Sequence, residues 1–598
     1  MTEARFARAH PLPLPHAGGE ISGRRLLLGL AAIWALASAI LLWIARSNIA
    51  GLDMWDPDDY LRLQQVRDWL GGQSFYDVTQ YRIDPPGGVP MHWSRIVDLP
   101  LAGMILLLQP LFGPALAERI AVSAVPLVTL GGSLGAVVLI TARLANRRAA
   151  LLAAMLGVTA PLLLFHVLPL RIDHHGWQTM LGLFAIAACF DPKPRRGGLT
   201  AGIATALWLG ISLEGLPMAG TIALLLAGRY LAWNEATRFA AFCAALGLAT
   251  LAIFALLHDR GGWTTVWCDA MSPGWFGPLV LSPLLAAAWI RCTVKARPAL
   301  RVAGLAAAGA LGIALLAITT PACLAGPFGQ LEPLVRLYWY DNVREGLPVW
   351  SQEPDIALLL LYFPPIGIVG SLLAWRSATT MDAARDWLAM LLLAVAAFAV
   401  SLMVQRVGGL AEACALPGAG WLLARTLGRI DRWRRPPLRV LGSAGAIILL
   451  SPISGSLIAQ RNDVVAPRAA TELCRAPCED VAPLARLPRA NVLTGLDLTP
   501  RLLVQTPHGF AASGHHRGHA AIARTIGAFI GPPVVAHQLM REKGMTYVLV
   551  DPTGAEARLY AGASRDGLMA RLLKGDAPAW LRPVPLGAAK LRLWRRIG

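Results

Sequence analysis

Charged side chains are scarce in this sequence. Asp, Glu, Lys and Arg make up only 15% of its 598 residues, whereas hydrophobic residues make up 55% and the mean hydropathy is +0.52. A soluble protein of this length would divide into several domains and carry far more charge. The composition therefore argues against a soluble protein. Repeated apolar runs of about 18 or more residues instead predict a polytopic helical membrane protein.

Acidic residues are fewer than basic ones, 36 against 54, so the formal net charge is +18. Such an excess can indicate nucleic-acid binding, but no polar segment carries a basic stripe with interleaved aromatic side chains. Arg and Lys also fix the orientation of membrane spans. We therefore expect the basic residues to set the topology, and we expect no nucleic-acid partner.

Internal repeats are absent, and "HPLPLPHAGG" near the N-terminus is the one low-complexity tract. Cysteine is also sparse, with eight residues in the chain. Cys474 and Cys478 lie in the polar stretch "CRAPC", a spacing that predicts a local disulfide if this part is extracytoplasmic. The other six lie within or beside apolar runs, where buried free thiols are expected: Cys189, Cys243, Cys268, Cys292, Cys323 and Cys414.

The first apolar run, Gly23–Ala45, follows a basic tail. The "ASA" at Ala37–Ala39 resembles a signal-peptidase site, but the run continues to Ala45 and so favours an uncleaved anchor. We expect about thirteen spans in all, since runs long enough to cross a bilayer recur along the chain. The further runs centre near residues 130, 158, 183, 205, 224, 248, 283, 310, 365, 396, 416 and 448.

The distribution of Arg and Lys predicts the orientation of these spans. If the N-terminus is cytoplasmic, basic turns such as "RLANRR", "DPKPRR" and "ARTLGRIDRWRRPPLR" all face the cytoplasm, as the positive-inside rule requires. We then expect a cytoplasmic tail at residues 1–24 and a transmembrane domain at 25–459, with outer loops at about 46–98 and 320–355. An extracytoplasmic domain at 460–598 mixes the strand-like "MTYVLVD" with the helical "GHAAIARTIGAFI", which predicts a small α/β fold.

Acidic residues cluster just beyond the first span, in "WDPDDYLRLQQVRDWL". Asp56 followed by Pro57 is typical of a helix start, with Asp at the N-cap and Pro in the first turn. Carboxylates near a membrane surface also suit Mg²⁺ or Mn²⁺, which bind oxygen ligands and often bridge to substrate phosphates. Both interpretations stay open for Asp56, Asp58 and Asp59.

The stretch "RIDHHGWQ" places Asp173, His174 and His175 between two apolar runs, on the same outer face as Asp56. Ionisable groups at a membrane boundary are costly unless they are paired, hydrated or bound to metal. Asp173 could cap the next span, with both histidines hydrated. Two acidic clusters on one face favour a divalent-cation site instead, since like charges coexist more easily around a cation.

Three further segments carry candidate polar groups. Arg406 lies at the outer end of a span, where it can snorkel or hold an anionic group such as phosphate. Glu345 lies in "LYWYDNVREGLPVWSQEP", which could also form an interfacial helix. The histidine-rich "TPHGFAASGHHRGHAA" could bind zinc, contact a glycan or phosphate, or form a surface loop; it contains His508, His515, His516, Arg517 and His519.

Four motifs occur in a fixed order on the predicted outer side. Asp56–Arg62 reads D-P-x-x-x-L-R, Pro85–Trp93 carries a PP-G segment ending in Trp, Asp173–His175 reads D-H-H, and Val343–Pro348 reads V-x-E followed by Pro. Together they resemble the catalytic subunits of membrane oligosaccharyltransferases, which are GT-C glycosyltransferases. The resemblance implies a GT-C fold followed by an extracytoplasmic domain.

The resemblance also implies roles for individual residues. Asp56, Asp173 and His175 would bind Mn²⁺ or Mg²⁺, and His174 would not. Asp56, Asp173 and Glu345 would be catalytic, with Glu345 positioning the acceptor, and Arg406 would bind the donor phosphate. Further candidate substrate contacts are Asp58, Arg62, Trp93, His515, His516 and Arg517.

The implied reaction transfers a sugar or oligosaccharide from a polyprenyl-(pyro)phosphate carrier to a protein or glycoconjugate, at the periplasmic face of a bacterial inner membrane. Two departures leave the acceptor open: the family's Trp-Trp-Asp-Tyr-Gly string is missing, and Gln178 stands where a glutamate is often found. The alternatives are a flippase or transporter of lipid-linked glycans and a non-catalytic assembly scaffold. Ionisable residues at span ends, not at mid-membrane, favour the transferase over the transporter.

Overall fold

The structure, a computed structural model, describes residues 21–329, 331–461, 481–587 and 590–598. Within these ranges a bundle of long apolar helices is followed by a small domain that contains both strands and helices. The predicted pair Cys474 and Cys478 lies outside the described residues. The chain is therefore a multi-pass helical membrane protein with an α/β domain at its C-terminal end, as the sequence predicts.

Nine helices of the described residues are long and apolar enough to cross a membrane. The pair Pro436–Leu450 and Ile453–Ala459 would add a tenth span if it crosses as one unit, although its axis bends by 80°. The nine are Gly23–Ile44, Arg95–Phe112, Pro114–Leu144, Leu213–Trp233, Ala236–Leu257, Pro298–Thr319, Pro354–Arg376, Met381–Met403 and Gln405–Ile430.

Several of the expected spans fall on shorter or more polar helices. The run near residue 158 is divided at Pro161, whose ring and missing N–H prevent a continuous helix. Conversely, Arg95–Phe112 is a helix of spanning length that the sequence analysis did not count, in a stretch that contains two prolines. The shorter helices at the expected positions are Arg147–Gly157, Pro161–Phe165, His175–Cys189, Pro194–Ile211 and Ser282–Cys292.

The first outer loop is ordered around the helix Pro57–Leu70 and a short antiparallel pair, β1 (Thr79–Gln80) and β2 (Val89–Pro90). Asp56 is the N-cap of this helix, because its carboxylate accepts a hydrogen bond of 3.0 Å from the Asp58 N–H, and Pro57 occupies the first turn. The capping role predicted for Asp56 is confirmed. The remaining short helices of the loop regions are Arg46–Gly51 and Pro333–Tyr338.

The C-terminal domain contains a five-stranded mixed sheet with the order β4-β3-β5-β7-β6. Strands β3 and β4 and strands β3 and β5 run parallel, whereas β7 is antiparallel to both β5 and β6. The strands are β3 (Asn491–Leu493), β4 (Gly509–Phe510), β5 (Met545–Val550), β6 (Leu581–Val584) and β7 (Arg592–Arg596). The helices are Ala482–Ala485, Thr499–Gln505, His519–Ile530, Pro533–Glu542, Ala555–Ala563 and Leu568–Lys574.

The first outer loop and the C-terminal domain pack as one unit. Ile83 forms a parallel bridge with Phe510, and the Asp84 N–H donates to the Phe510 carbonyl at 2.8 Å. Apolar side chains of the loop, including Met91 and Trp93, share a buried core with the sheet of the domain. Because burial of apolar surface is the main favourable contribution to such packing, this core holds the domain over the end of the membrane bundle.

Cys268 and Cys323 form a disulfide, so the expectation of buried free thiols at these two positions is wrong. Both cysteines lie in connecting segments just beyond apolar helices, and Cys323 is buried, so proximity to an apolar run did not reveal that the two thiols pair. Cys292 is free but exposed. Cys189, Cys243 and Cys414 are buried free thiols, as predicted.

Peptide mapping without reductant tests this disulfide. We expect a cross-linked peptide that joins Cys268 to Cys323, and we expect Cys268→Ser to release Cys323 for alkylation. The bond closes a 55-residue separation, and loss of a native disulfide costs about 2–5 kcal/mol. The variant should therefore also melt at a lower temperature.

Cys292→Ser is the matched control, because this exposed thiol has no partner among the described residues. It should leave both the peptide map and the melting temperature unchanged. Full alkylation of Cys268 and Cys323 in the unreduced wild type would contradict the pairing.

Candidate active site

A cavity of about 1140 Å³ lies between the outer-loop end of the bundle, the first outer loop and the C-terminal domain. Its walls are partly apolar, with Phe165 and Leu216 among the lining side chains. The charged and titratable groups on the membrane-domain side include Asp56, Asp58, His92, His174, Glu214, Asp269, Arg344, Glu345, Glu353 and Arg406. Most of the candidate residues from separate motifs therefore meet at one cavity.

Arg171 is the buried cation beneath this cavity. Its Nη1 atom lies 2.9 Å from Asp59 Oδ2 and 3.3 Å from Asp56 Oδ2. Its Nη2 atom lies 3.9 Å from Asp173 Oδ2. Asp59 also accepts a hydrogen bond of 2.9 Å from the Asp173 N–H. Arg171 and Asp59 thus tie the D-P-x-x-x-L-R segment to the D-H-H segment, although neither was a predicted site residue.

Asp173, His174 and His175 form a buried group of potential metal ligands, since one ligand atom from each lies within 4.8 Å of the others. The Asp173 carboxylate accepts from the His174 N–H, contacts His174 Nδ1, and lies 3.3 Å from His175 Nε2. The helix begins at His175 with His174 at its N-cap and no side-chain cap, so Asp173 is not the cap of this helix. Asp56 is connected to this group through Arg171.

The carboxyl groups around Arg171 differ in how readily they ionise. Burial raises the pKa of Asp56 to about 7 and that of Asp59 to about 8, despite the positive charge of Arg171. Burial also disfavours the charged form of Asp173, but its contacts with His174 and His175 outweigh this and hold its pKa well below the usual range. Asp56 can therefore take up or release a proton near neutral pH, which general acid–base chemistry requires.

Arg406 is a further residue of the cavity lining. It donates to Glu214 at 2.5 Å and lies 3.3 Å from Glu345, so the residue of the V-x-E segment and the predicted phosphate ligand are neighbours. Glu214 is also 3.9 Å from His174 and accepts a hydrogen bond of 3.4 Å from Gln178. A carboxylate from a neighbouring helix therefore lies beside Gln178, where the oligosaccharyltransferases often have a glutamate.

Arg62 and Trp93 lie beneath the cavity and are not part of its wall. The Arg62 side chain is 1% exposed, forms a 2.8 Å ion pair with Asp98, and stacks on the Trp93 ring at 4.8 Å. Trp93 in turn packs edge-on against His515. The structure gives both residues a supporting position, which disagrees with their expected role as substrate contacts.

The histidine-rich segment does not form one cluster. His508 is buried, and its two ring nitrogens bond to backbone groups of Ala490 and Leu484, which leaves neither free for zinc. His515 lines the cavity with Nε2 at 3.2 Å from Asp58. His516 also lines the cavity, whereas Arg517 lies behind the wall, 7% exposed, where it pairs at 2.9 Å with Asp269, a residue of the lining.

The ligand chemistry at the base of the cavity fits a divalent cation. Carboxylates outnumber guanidinium groups in the lining. His174 lines the cavity, whereas Asp173 and His175 lie buried behind it, and together they present oxygen and nitrogen ligands that a borderline metal accepts. Of the expected ligands, Asp173 and His175 lie in this group and Asp56 lies across Arg171. His174, which the sequence analysis set aside, belongs to the same group by geometry.

Comparison with solved structures identifies the fold. No protein-family model matches the chain, and no match was found among curated proteins. The structure of the oligosaccharyltransferase AglB from Archaeoglobus fulgidus, in complex with an inhibitory peptide and a dolichol-phosphate, aligns with a TM-score of 0.64 over 94% of this chain and 73% of that one, at 14% identity. This chain has the GT-C fold.

Two further structures of the Archaeoglobus fulgidus oligosaccharyltransferase agree. One, tethered to an acceptor peptide that contains an NVT sequon, has a TM-score of 0.60 at 14% identity and covers 91% of this chain and 72% of that one. The other, a complex with zinc and sulfate, has a TM-score of 0.56 at 14% identity and covers 90% and 70%. At this level of identity the likeness establishes the architecture only.

Sequence reasoning overlooked two residues of the site, Arg171 and Glu214, and considered Asp59 only as one carboxylate of the acidic cluster. An isolated acidic residue such as Glu214 at the start of an apolar run signals an intramembrane polar site. Only the fold shows that Arg171 pairs with Asp59 and that Glu214 lies beside His174, because these side chains come from separate segments.

Substitution of Arg62 tests whether it supports the fold or contacts substrate. We expect Arg62→Met to destabilise the protein by about 1–3 kcal/mol, because it removes the charge-assisted hydrogen bond to the buried Asp98 carboxylate, which keeps only Arg95 at 3.1 Å and Gln65 at 2.6 Å. Thermal unfolding of the detergent-solubilised protein measures this. Arg385→Met, which breaks the partly exposed pair with Asp382, should change stability by less than about 1 kcal/mol. A stable Arg62→Met protein with weakened donor binding would contradict the supporting role.

Proposed function

We propose that this chain is a membrane glycosyltransferase that transfers a sugar or oligosaccharide from a polyprenyl-(pyro)phosphate carrier to an acceptor. The observation that carries the proposal is the cavity itself. It places Arg406 and Glu345 opposite the Asp56, Asp173, His174 and His175 group, on a fold shared with structures of an oligosaccharyltransferase. The donor class is also supported by the dolichol-phosphate in that relative.

Arg406 is the proposed ligand of the donor phosphate. Its guanidinium now pairs with Glu214 and Glu345, and a phosphate entering the cavity would compete with these carboxylates for its N–H groups. Guanidinium groups suit this task because their fork geometry matches phosphate oxygens. As the glycosidic bond to phosphate breaks, negative charge develops on the leaving oxygen, and a fixed cation beside it lowers the barrier.

The acceptor is proposed to bind between Asp56 and Glu345. Its nucleophilic atom attacks the anomeric carbon, the bond from that carbon to the phosphate oxygen breaks, and the acceptor proton passes to a carboxylate. Asp56 supplies the carboxylate proposed to receive it. Glu345, whose pKa burial also raises, would orient the acceptor from the opposite wall.

Mn²⁺ or Mg²⁺ is the proposed cofactor, with Asp56, Asp173 and His175 as ligands and His174 as a neighbouring donor. Such an ion, when bound, neutralises charge on a phosphate leaving group. The protein residues would hold the carboxylates together around it, and Arg171 keeps them close in its absence. The structure of the Archaeoglobus fulgidus oligosaccharyltransferase with zinc and sulfate supports a metal site in this fold.

The proposed location is the periplasmic face of a bacterial inner membrane, with the cavity and the C-terminal domain on that side. Two observations support it. The most basic turns lie at the predicted cytoplasmic ends of the helices. The Cys268–Cys323 disulfide lies beside the cavity, and disulfides persist in oxidising compartments. A mass-spectrometric survey of periplasmic glycoconjugates distinguishes a protein acceptor from another glycoconjugate.

A mass-spectrometric survey of periplasmic glycoconjugates tests the function. A deletion strain should lack one glycan modification, and the wild-type gene should restore it. We expect Asp56→Asn and Arg406→Gln to reduce transfer by about 10²–10³-fold, because each removes a charged group that stabilises the charge developing as the bond breaks. Asp382→Asn, at an exposed pair far along the chain, should restore the glycan fully.

The alternatives give different outcomes. A flippase would leave the lipid-linked glycan accumulated in the cytoplasmic leaflet of the deletion strain, and purified protein would transfer nothing in detergent. A scaffold would retain function in both point variants as long as the protein is present at normal level. Unchanged glycans in the deletion strain would contradict the proposal.

A further inference from the structure

A second group of potential metal ligands lies on the same cavity wall, away from the Asp173 group. It consists of His92 from the first outer loop, Asp269 from the loop after the helix Ala236–Leu257, and His516 from the C-terminal domain. One ligand atom from each residue lies within 4.8 Å of the other two, and all three residues line the cavity. We infer that these residues bind a zinc-class divalent cation, independently of the proposed transfer reaction.

The ligand chemistry is that of a transition-metal site. Two imidazoles and one carboxylate suit Zn²⁺ better than the oxygen-preferring Mg²⁺. His516 Nε2 lies 2.6 Å from Asp269 Oδ2, and the ring centroids of His92 and His516 are 4.6 Å apart. His92 Nδ1 is buried, and no atom of the described residues hydrogen-bonds to it.

Arg517 holds the Asp269 carboxylate in place. Arg517 donates from Nε to Asp269 Oδ2 at 2.9 Å and from Nη2 to Oδ1 at 3.1 Å. Arg517 itself stacks on the Trp267 ring at 3.9 Å and donates to the Met91 carbonyl at 2.9 Å. A carboxylate has lone pairs enough for this fork and a cation, and such partners commonly orient metal ligands. Arg517 is thus a positioning residue.

Two covalent and packing constraints bring the three segments together. Cys268, the residue before Asp269, is bonded to Cys323 and so fixes one side of the group. The shared core of the first outer loop and the C-terminal domain fixes the other two ligands. Zinc sites with three protein ligands keep a fourth position for water or substrate. Here that position would face the cavity, where a hydroxyl or phosphate oxygen of a bound molecule could occupy it.

Metal binding by the purified full-length chain tests the inference. Protein with a Strep-tag is stripped with chelator in detergent and titrated with Zn²⁺ or Co²⁺, and the bound metal is counted after gel filtration. We expect His516→Ala and His92→Ala each to lose one zinc per chain. Co²⁺ should give the visible absorption of a tetrahedral site in the wild type, and its affinity should fall at least about tenfold in both variants.

Two control variants separate this site from other histidines. His174→Ala with His175→Ala removes the first group and should keep the cobalt band. His519→Ala, at a half-buried histidine that belongs to neither group, should keep all bound metal. If His516→Ala does not run as a single gel-filtration peak, the bound metal is measured in Asp269→Asn and His92→Gln in its place. Equal metal content in the wild type and the His92 and His516 variants, or loss only in the His174/His175 variant, would overturn the inference. These readouts need no glycan transfer, so they stand apart from a failure of the proposed function.

Discussion

The ion pairs of Arg171 are the interaction on which the candidate site depends. Arg171 is buried, with 1% of its side chain exposed, and a buried guanidinium is tolerated only where carboxylates surround it. Asp56, Asp59 and Asp173 supply them, from two segments separated by more than a hundred residues. The same contacts that satisfy the buried cation therefore bring the D-P-x-x-x-L-R and D-H-H segments together at the base of the cavity.

The first outer loop and the C-terminal domain pack together over the site. They share a buried core, and Ile83 extends the sheet of the domain by a bridge to Phe510. This arrangement places the cavity between a membrane domain that carries Arg406 and Glu345 and a domain that carries His515 and His516. At this end of the bundle a lipid-linked substrate with a polar head would meet basic and acidic groups that share one cavity, an arrangement that suits transfer.

The sequence predicted the membrane class, the α/β character of the C-terminal part and the cap at Asp56, because hydropathy, strand-like runs and capping residues are local signals. It predicted about thirteen spans, whereas nine helices of the described residues, or ten with the bent pair, are long and apolar enough to cross a membrane. The apolar run near residue 158 divides before Pro161, a break that hydropathy does not reveal. The sequence also missed the roles of Arg171 and Glu214, placed Arg62 in contact with substrate, and treated Cys268 as a free thiol. These features depend on contacts between distant segments, which no local pattern reveals.

The most direct test is a cryo-electron microscopy structure of the full chain with undecaprenyl phosphate and Mn²⁺. We expect phosphate density at about 3 Å from the Arg406 guanidinium, the distance of a charge-assisted hydrogen bond. We also expect a metal peak between the Asp173 and His175 side chains, with Arg171 displaced from Asp56. Phosphate bound outside the cavity, or a lipid chain that passes through the middle of the bundle, would contradict the proposed function.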